Sequence, residues 1–215
     1  VAKTPAIVTP RPPSPTSTER LALVLGNGAY VNAAQLPNPP KDARAVARAL
    51  RQIGFTVIEG VDLDRNGMDR TIIEFLRKVA LARIAIVFYA GHGVEIDGKN
   101  YLLPVDVKSI ERTTVSFELM DIDRIVAGLD DEARTNIIIL DACRDNPLQS
   151  RTATRSAGRG GGLAGYSTVS SGMLIAFAAD PGKTAIDGEG ENSPFTTALI
   201  KHIGTPGLEI NAMLT

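Results

Sequence analysis

Short runs of Ile, Val and Leu with almost no polar residue inside them recur along this chain, separated by stretches whose apolar residues fall at helical spacing. Residues 21–25, 55–61, 84–89, 136–140 and 173–178 are the apolar runs. Between them Ala43, Val46, Ala47, Leu50 and Ile53 trace one helix face and stop at Gly54, and Met68, Ile72, Phe75 and Val79 trace another. Residues 119–129 and 193–203 predict two more helices, and 209–215 has the pattern of a further helix opening. A strand with one face in water alternates apolar with polar residues, whereas a strand covered on both faces reads as a continuous apolar run. The order therefore predicts an α/β chain: a three-layer αβα, doubly wound, mostly parallel sheet with helices on both faces.

At 215 residues and 44% apolar side chains the chain is long enough for one well-buried core, and one domain is the expectation. The 23 basic and 24 acidic residues leave a net charge of −1, so no long-range field draws it to nucleic acid or anionic lipid. No apolar run approaches the roughly 20 residues of a membrane span. A soluble protein is expected, either cytoplasmic or exported after loss of a leader. With one cysteine, no internal disulfide forms.

Two segments lack the alternating pattern. Residues 1–19 hold five prolines among Thr, Ser and Ala, which predicts a flexible tail ahead of a domain at 20–215. Residues 146–171 are rich in Gly, Ser, Thr and Arg, contain no acid, and predict a long linker.

The chain has two histidines and one cysteine, and one of each follows an apolar run: His92 after 84–91 and Cys143 after 136–142. In an open parallel sheet, side chains beyond the carboxyl ends of neighbouring strands converge on one crevice. Convergence would make a dyad, because a thiol of pKa about 8.5 becomes a nucleophile at neutral pH beside an imidazole that takes its proton. Gly91 and Gly93 bracket the histidine and allow close approach of a substrate backbone. The amides of Gly93 and Cys143 are candidate donors to an oxyanion, and acyl transfer is the implied reaction class. His202, in a last helical turn, reads as structural. Gly26-Asn27-Gly28 follows a strand as a phosphate loop does, but the third glycine and the immediate helix are missing.

Four segments resemble the caspase-like cysteine peptidases, most closely the bacterial metacaspase or orthocaspase group. Tyr89-Ala-Gly-His92-Gly93 is similar to the family's histidine motif and Leu140-Asp-Ala-Cys143-Arg144 to its cysteine motif. Leu36-Pro-Asn-Pro-Pro-Lys-Asp42-Ala43 resembles the segment opening the first helix, and Asn192-Ser-Pro-Phe195 the one opening the small-subunit helix. A histidine about 50 residues ahead of the cysteine is the caspase spacing.

The resemblance implies a cysteine endopeptidase with His92 as general base and acid and Cys143 as nucleophile. It divides the domain into a large-subunit-like part at about 20–145, the linker, and a small-subunit-like part at 172–215. Metacaspases cut after Arg or Lys, and the resemblance puts the acids of the primary pocket at Asp42 and Asp141. Asp187 lies near the place where caspases proper keep a pocket arginine. Metacaspases usually have Ser two places before the histidine; here Ala90 removes that polar contact. Carboxylates in a partly desolvated pocket suit a guanidinium in their own right. The expected partner is thus a peptide or protein with a basic residue before the scissile bond. Arg151, Arg155 and Arg159 lie in the linker and are candidate self-cleavage points. No metal site or resident cofactor is expected, although some metacaspases need calcium and Asp187, Glu189 and Glu191 form an acidic turn. Two other readings compete: a caspase-fold interaction module with little or no catalysis, and a nucleotide-binding or receiver-like doubly wound domain.

Overall fold

The structure, a computed structural model, describes residues 19–143, 171–178 and 190–214. In chain order the elements are β1 (Arg20–Gly26), α1 (Pro39–Gln52), β2 (Thr56–Val61), α2 (Arg65–Val79), β3 (Ile84–Ile96) and β4 (Lys99–Leu102). There follow α3 (Val115–Glu118), β5 (Met120–Asp121), α4 (Ile122–Gly128), β6 (Thr135–Cys143), β7 (Met173–Phe177), α5 (Pro194–His202) and α6 (Ile210–Leu214).

Five strands pair in parallel in the order β2-β1-β3-β6-β7. The first strand has the second on one side and the third on the other, so the strand order reverses beside β1. At such a point the loops leaving two neighbouring strands diverge and open a crevice at their carboxyl ends.

Both faces of the sheet are covered at its centre, which is why the sequences of β1, β3 and β6 do not alternate. On one face Leu21, Leu23, Leu25, Val87, Tyr89, Ile138 and Leu140 pack with Met68, Ile72 and Phe75 of α2 and Ile122 and Ile125 of α4. On the other, Ala22, Val24, Ile86, Phe88, Ile137 and Ile139 pack with Ala43, Val46 and Leu50 of α1 and Leu199 of α5. Each large apolar side chain buried in this way contributes about 1.5–3 kcal/mol. The arrangement is the three-layer α/β sandwich that the sequence predicts.

Helix ends follow their local chemistry. Pro39 and Pro40 occupy the first turn of α1, where a missing N–H costs nothing. Its end is a Schellman motif: Gly54 at φ 87° and Phe55 return their amides to the carbonyls of Arg51 and Leu50. Asp64 caps α2 by accepting from the Gly67 amide at 2.6 Å. His202 is the last residue of α5, as a dipole-complementing histidine should be.

Two elements differ from the sequence expectation. The third strand runs on past residue 89 to Ile96, and its far half pairs antiparallel with β4 through a two-residue turn at Asp97 and Gly98. Both turn residues have positive φ, 53° and 79°, the geometry that matches hairpin twist. The helix expected over 119–129 begins only at Ile122, because Met120 and Asp121 pair with β4 and the Asp121 carboxylate caps the shortened helix. Around the hairpin a small third cluster gathers Tyr30, Val94, Tyr101, Leu103 and Leu119. Among the described residues, no helix is long and apolar enough to cross a membrane. Residues 1–18 of the tail expected at 1–19, the linker arginines 151, 155 and 159, Asp187 and Glu189 lie outside the described residues.

Candidate active site

The β3–β6 ladder runs as far as the rung that joins His92 to Cys143, after rungs joining Ala90 to Asp141 and Gly91 to Ala142. Two residues that are distant in sequence are therefore neighbours across one pair of strands. His92 is not beyond its strand, as expected from sequence, but inside it, at the point where β3 leaves β6 and turns to β4.

Gly91 makes that transition possible. Its φ of 147° suits only glycine, and a Cβ there would stand 2.7 Å from the hydroxyls of both Tyr30 and Tyr89. Those hydroxyls hold the next residue. The His92 amide donates to Tyr30 Oη at 2.8 Å, and the His92 carbonyl accepts from Tyr89 Oη at 2.7 Å and from the Leu103 amide at 3.1 Å.

The imidazole is held as firmly as its backbone. The Tyr30 ring lies 4.6 Å from it, tilted by 44°, and Nε2 is 2.8 Å from the Ala34 carbonyl oxygen. A carbonyl only accepts, so Nε2 carries the proton of the neutral ring and Nδ1 is left with a lone pair. Nδ1 is buried and has no hydrogen-bond partner among the described residues. Burial pushes the pKa of His92 below its ordinary value, a fall only partly opposed by the bond to Ala34. The ring is therefore neutral at neutral pH, with one nitrogen fixed and the other able to accept a proton.

The two acids meet at the start of α5. Asp42, in the first turns of α1 and 1% exposed, accepts from Asn192 Nδ2 at 2.7 Å and from the Ser193 amide at 3.0 Å. Asp141 accepts from Ser193 Oγ at 2.6 Å and Thr196 Oγ1 at 3.3 Å. Ser193 in turn caps α5 by accepting from the Thr196 amide at 3.0 Å. Both carboxylates thus lie where a helix N-terminus favours negative charge. These bonds fix the orientation of both carboxylates at the start of α5.

Ala90 is buried on the rung shared with Asp141, and Gly93 stands opposite Leu102 on β4. The Gly26-Asn27-Gly28 segment holds no place for phosphate: the amides of Gly28 and Ala29 both donate to Asp62 Oδ1, at 2.8 and 2.9 Å. Tyr30 and Ala34 carry no sequence signal for the roles they take here, and the segment at Asn192 to Thr196 is marked only by its resemblance to the family's helix-opening segment. Ser193 before Pro194 is legible as a helix cap, but its link to Asp141 is a product of the fold.

The sequence model of the caspase domain, peptidase family C14, matches residues 19–215. The chain belongs to the caspase domain family. Among characterised proteins it is similar to mucosa-associated lymphoid tissue lymphoma translocation protein 1 from Homo sapiens and to its homolog from Mus musculus, each 29% identical over 130 residues. The aligned stretch is 60% of this chain but only 16% of the human protein and 15% of the mouse one. This caspase domain therefore corresponds to a small part of those larger relatives.

Proposed function

We propose that this caspase domain is a cysteine endopeptidase of the metacaspase type that cuts after Arg or Lys. One observation carries the reading: His92 shares a rung with Cys143 while its Nδ1 is buried and without a hydrogen-bond partner among the described residues. A buried acceptor left without a donor costs about 1–3 kcal/mol, and a neighbouring thiol would supply the donor.

In this mechanism Nδ1 takes the Cys143 proton and the thiolate attacks the carbonyl carbon of the scissile bond. The amides of Gly93 and Cys143 stabilise the oxyanion of the tetrahedral intermediate. The imidazolium then returns its proton to the leaving amine, and water, activated by the same nitrogen, hydrolyses the thioester. The bond from Nε2 to Ala34 keeps the ring in the tautomer that both proton transfers need.

Asp42 and Asp141, oriented by Asn192, Ser193 and Thr196, receive the basic side chain of the substrate. The linker arginines 151, 155 and 159 are substrates of the same pocket within the chain. A peptide library read for the residue before the scissile bond tests the proposal. Arg and Lys should dominate with wild type, and Cys143→Ala should cut nothing; a library cut equally by both proteins, or cut after other residues, rejects it.

A further inference from the structure

The two residues that contact the His92 imidazole, Tyr30 and Ala34, belong to the segment between β1 and α1, and the base of that segment is tied down by one carboxylate. Asp62, just past the end of β2, accepts the amides of both Gly28 and Ala29 on a single oxygen, at 2.8 and 2.9 Å, and its own amide donates to the Gly26 carbonyl at 2.9 Å. Next to it Leu63 and Asn27 bond reciprocally: the Leu63 amide donates to Asn27 Oδ1 at 2.9 Å and Asn27 Nδ2 to the Leu63 carbonyl at 3.3 Å. The base of the segment is thus tied to the turn between β2 and α2.

Gly28 passes the constraint on. Its carbonyl accepts the amides of Tyr30 and Leu36, both at 3.0 Å, which closes a loop containing Ala34. Tyr30 supplies the hydroxyl and ring against His92, and Ala34 the carbonyl that fixes Nε2. A displacement of Gly28 therefore reaches both contacts of the imidazole at once.

Asp62 does this in an uncommon backbone conformation, φ 52°, where a residue with a side chain is held at a cost of about 1–3 kcal/mol. Glycine would fit the backbone better, but glycine has no acceptor. We propose that Asp62 is a positioning residue for His92: its carboxylate fixes the loop that sets the tautomer and ring orientation of the histidine. The inference rests on the dyad reading above and adds to it a group that touches neither substrate nor dyad.

Three substitutions separate positioning from folding. Asp62→Asn keeps an acceptor oxygen and tolerates the left-handed backbone, Asp62→Ala removes the acceptor, and Asp62→Gly removes it while relieving the backbone. Each protein is assayed for kcat and KM on an Arg peptide, for the alkylation rate of Cys143, the chain's one cysteine, and for its melting temperature. Asp62→Ala and Asp62→Gly should lower kcat and the alkylation rate about tenfold to a hundredfold with KM within about twofold, whatever their melting temperatures. Asp62→Asn should stay within about threefold of wild type. An Asp62→Gly protein with wild-type kcat and alkylation overturns the inference, as does a loss in all three variants that tracks melting temperature. Should wild type and Cys143→Ala cleave alike, the dyad reading falls and takes this inference with it. A cleavage that needs Cys143 but ignores Asp62→Gly overturns the inference alone.

Discussion

His92 Nε2 stands 2.8 Å from the Ala34 carbonyl oxygen, and this contact decides which face of the imidazole can do chemistry. A ring bonded to a carbonyl through Nε2–H presents Nδ1 as its basic atom. Burial then keeps that atom unprotonated, which a general base near neutral pH requires.

That lowered pKa has a consequence for stability. Above the ordinary value of 6.5 both folded and unfolded chains carry a neutral histidine here, so the residue adds no pH dependence. Below 6.5 the unfolded chain binds a proton that the folded chain refuses, so stability falls as pH drops toward the lower folded value. Urea unfolding of wild type and His92→Gln from about pH 5 to about pH 8 should show the wild-type curve falling more steeply on the acid side. Parallel curves would show that the imidazole titrates normally in the fold.

Gly91→Ala should be among the most damaging single-methyl changes in the molecule. The new Cβ would stand 2.7 Å from two tyrosine hydroxyls and 2.9 Å from the Asn27 carbonyl, at φ 147°. Strain and overpacking each cost about 1–3 kcal/mol, so a loss of roughly 2–6 kcal/mol is expected in denaturant unfolding. A loss under about 1 kcal/mol would mean that the tyrosine pair is not where His92 needs it.

Ser193→Ala removes a helix cap and a donor to Asp141 together. The cap contributes about 1 kcal/mol and the hydrogen bond to a carboxylate about 1.5–3 kcal/mol. Under the proposed function, kcat/KM for Arg peptides should fall about tenfold while Cys143 alkylation stays at the wild-type rate, because the pocket and not the dyad is disturbed. An alkylation rate that falls along with cleavage would contradict that separation.

The linker arginines give a prediction visible on a gel. Purified wild type should split into two fragments with a new N-terminus following Arg151, Arg155 or Arg159, whereas Cys143→Ala and the triple Arg→Ala variant should each remain one band. A wild-type protein that stays whole while it cuts an Arg peptide would remove self-processing from the scheme.

The parallel strands were legible because burial on both faces leaves unbroken apolar runs such as Ile84 to Tyr89 and Ile137 to Leu140. Helix ends were legible where a backbone requirement selects a residue type, as at Gly54. The hairpin at Asp97-Gly98 carried a readable turn signal, but Gly91 and Gly93 interrupt the run before it, and β3 reads as if it ended early. Residues 119–121 resemble helix because Leu119 and Met120 are apolar at a compatible spacing, a pattern that cannot separate a short strand from a helical turn.

At the candidate site, His92 and Cys143 stand out in the sequence because they carry rare side-chain chemistry next to apolar runs, whereas Asp42 and Asp141 are picked out by the resemblance to the caspase-like peptidases. Ala34 acts through its carbonyl, which every residue has, and no sequence pattern marks it. Tyr30 and Asp62 act through contacts that exist only after the segment following β1 has folded back on the sheet.

Alkylation of Cys143 by iodoacetamide as a function of pH tests the pairing of thiol and imidazole without any peptide substrate, since the chain has a single cysteine. Wild type should reach half its maximal rate below about pH 7.5, and His92→Ala should move that midpoint to about 8.5, the value of an unassisted thiol. Identical profiles, both centred near 8.5, would show that the two residues sharing the rung do not share a proton.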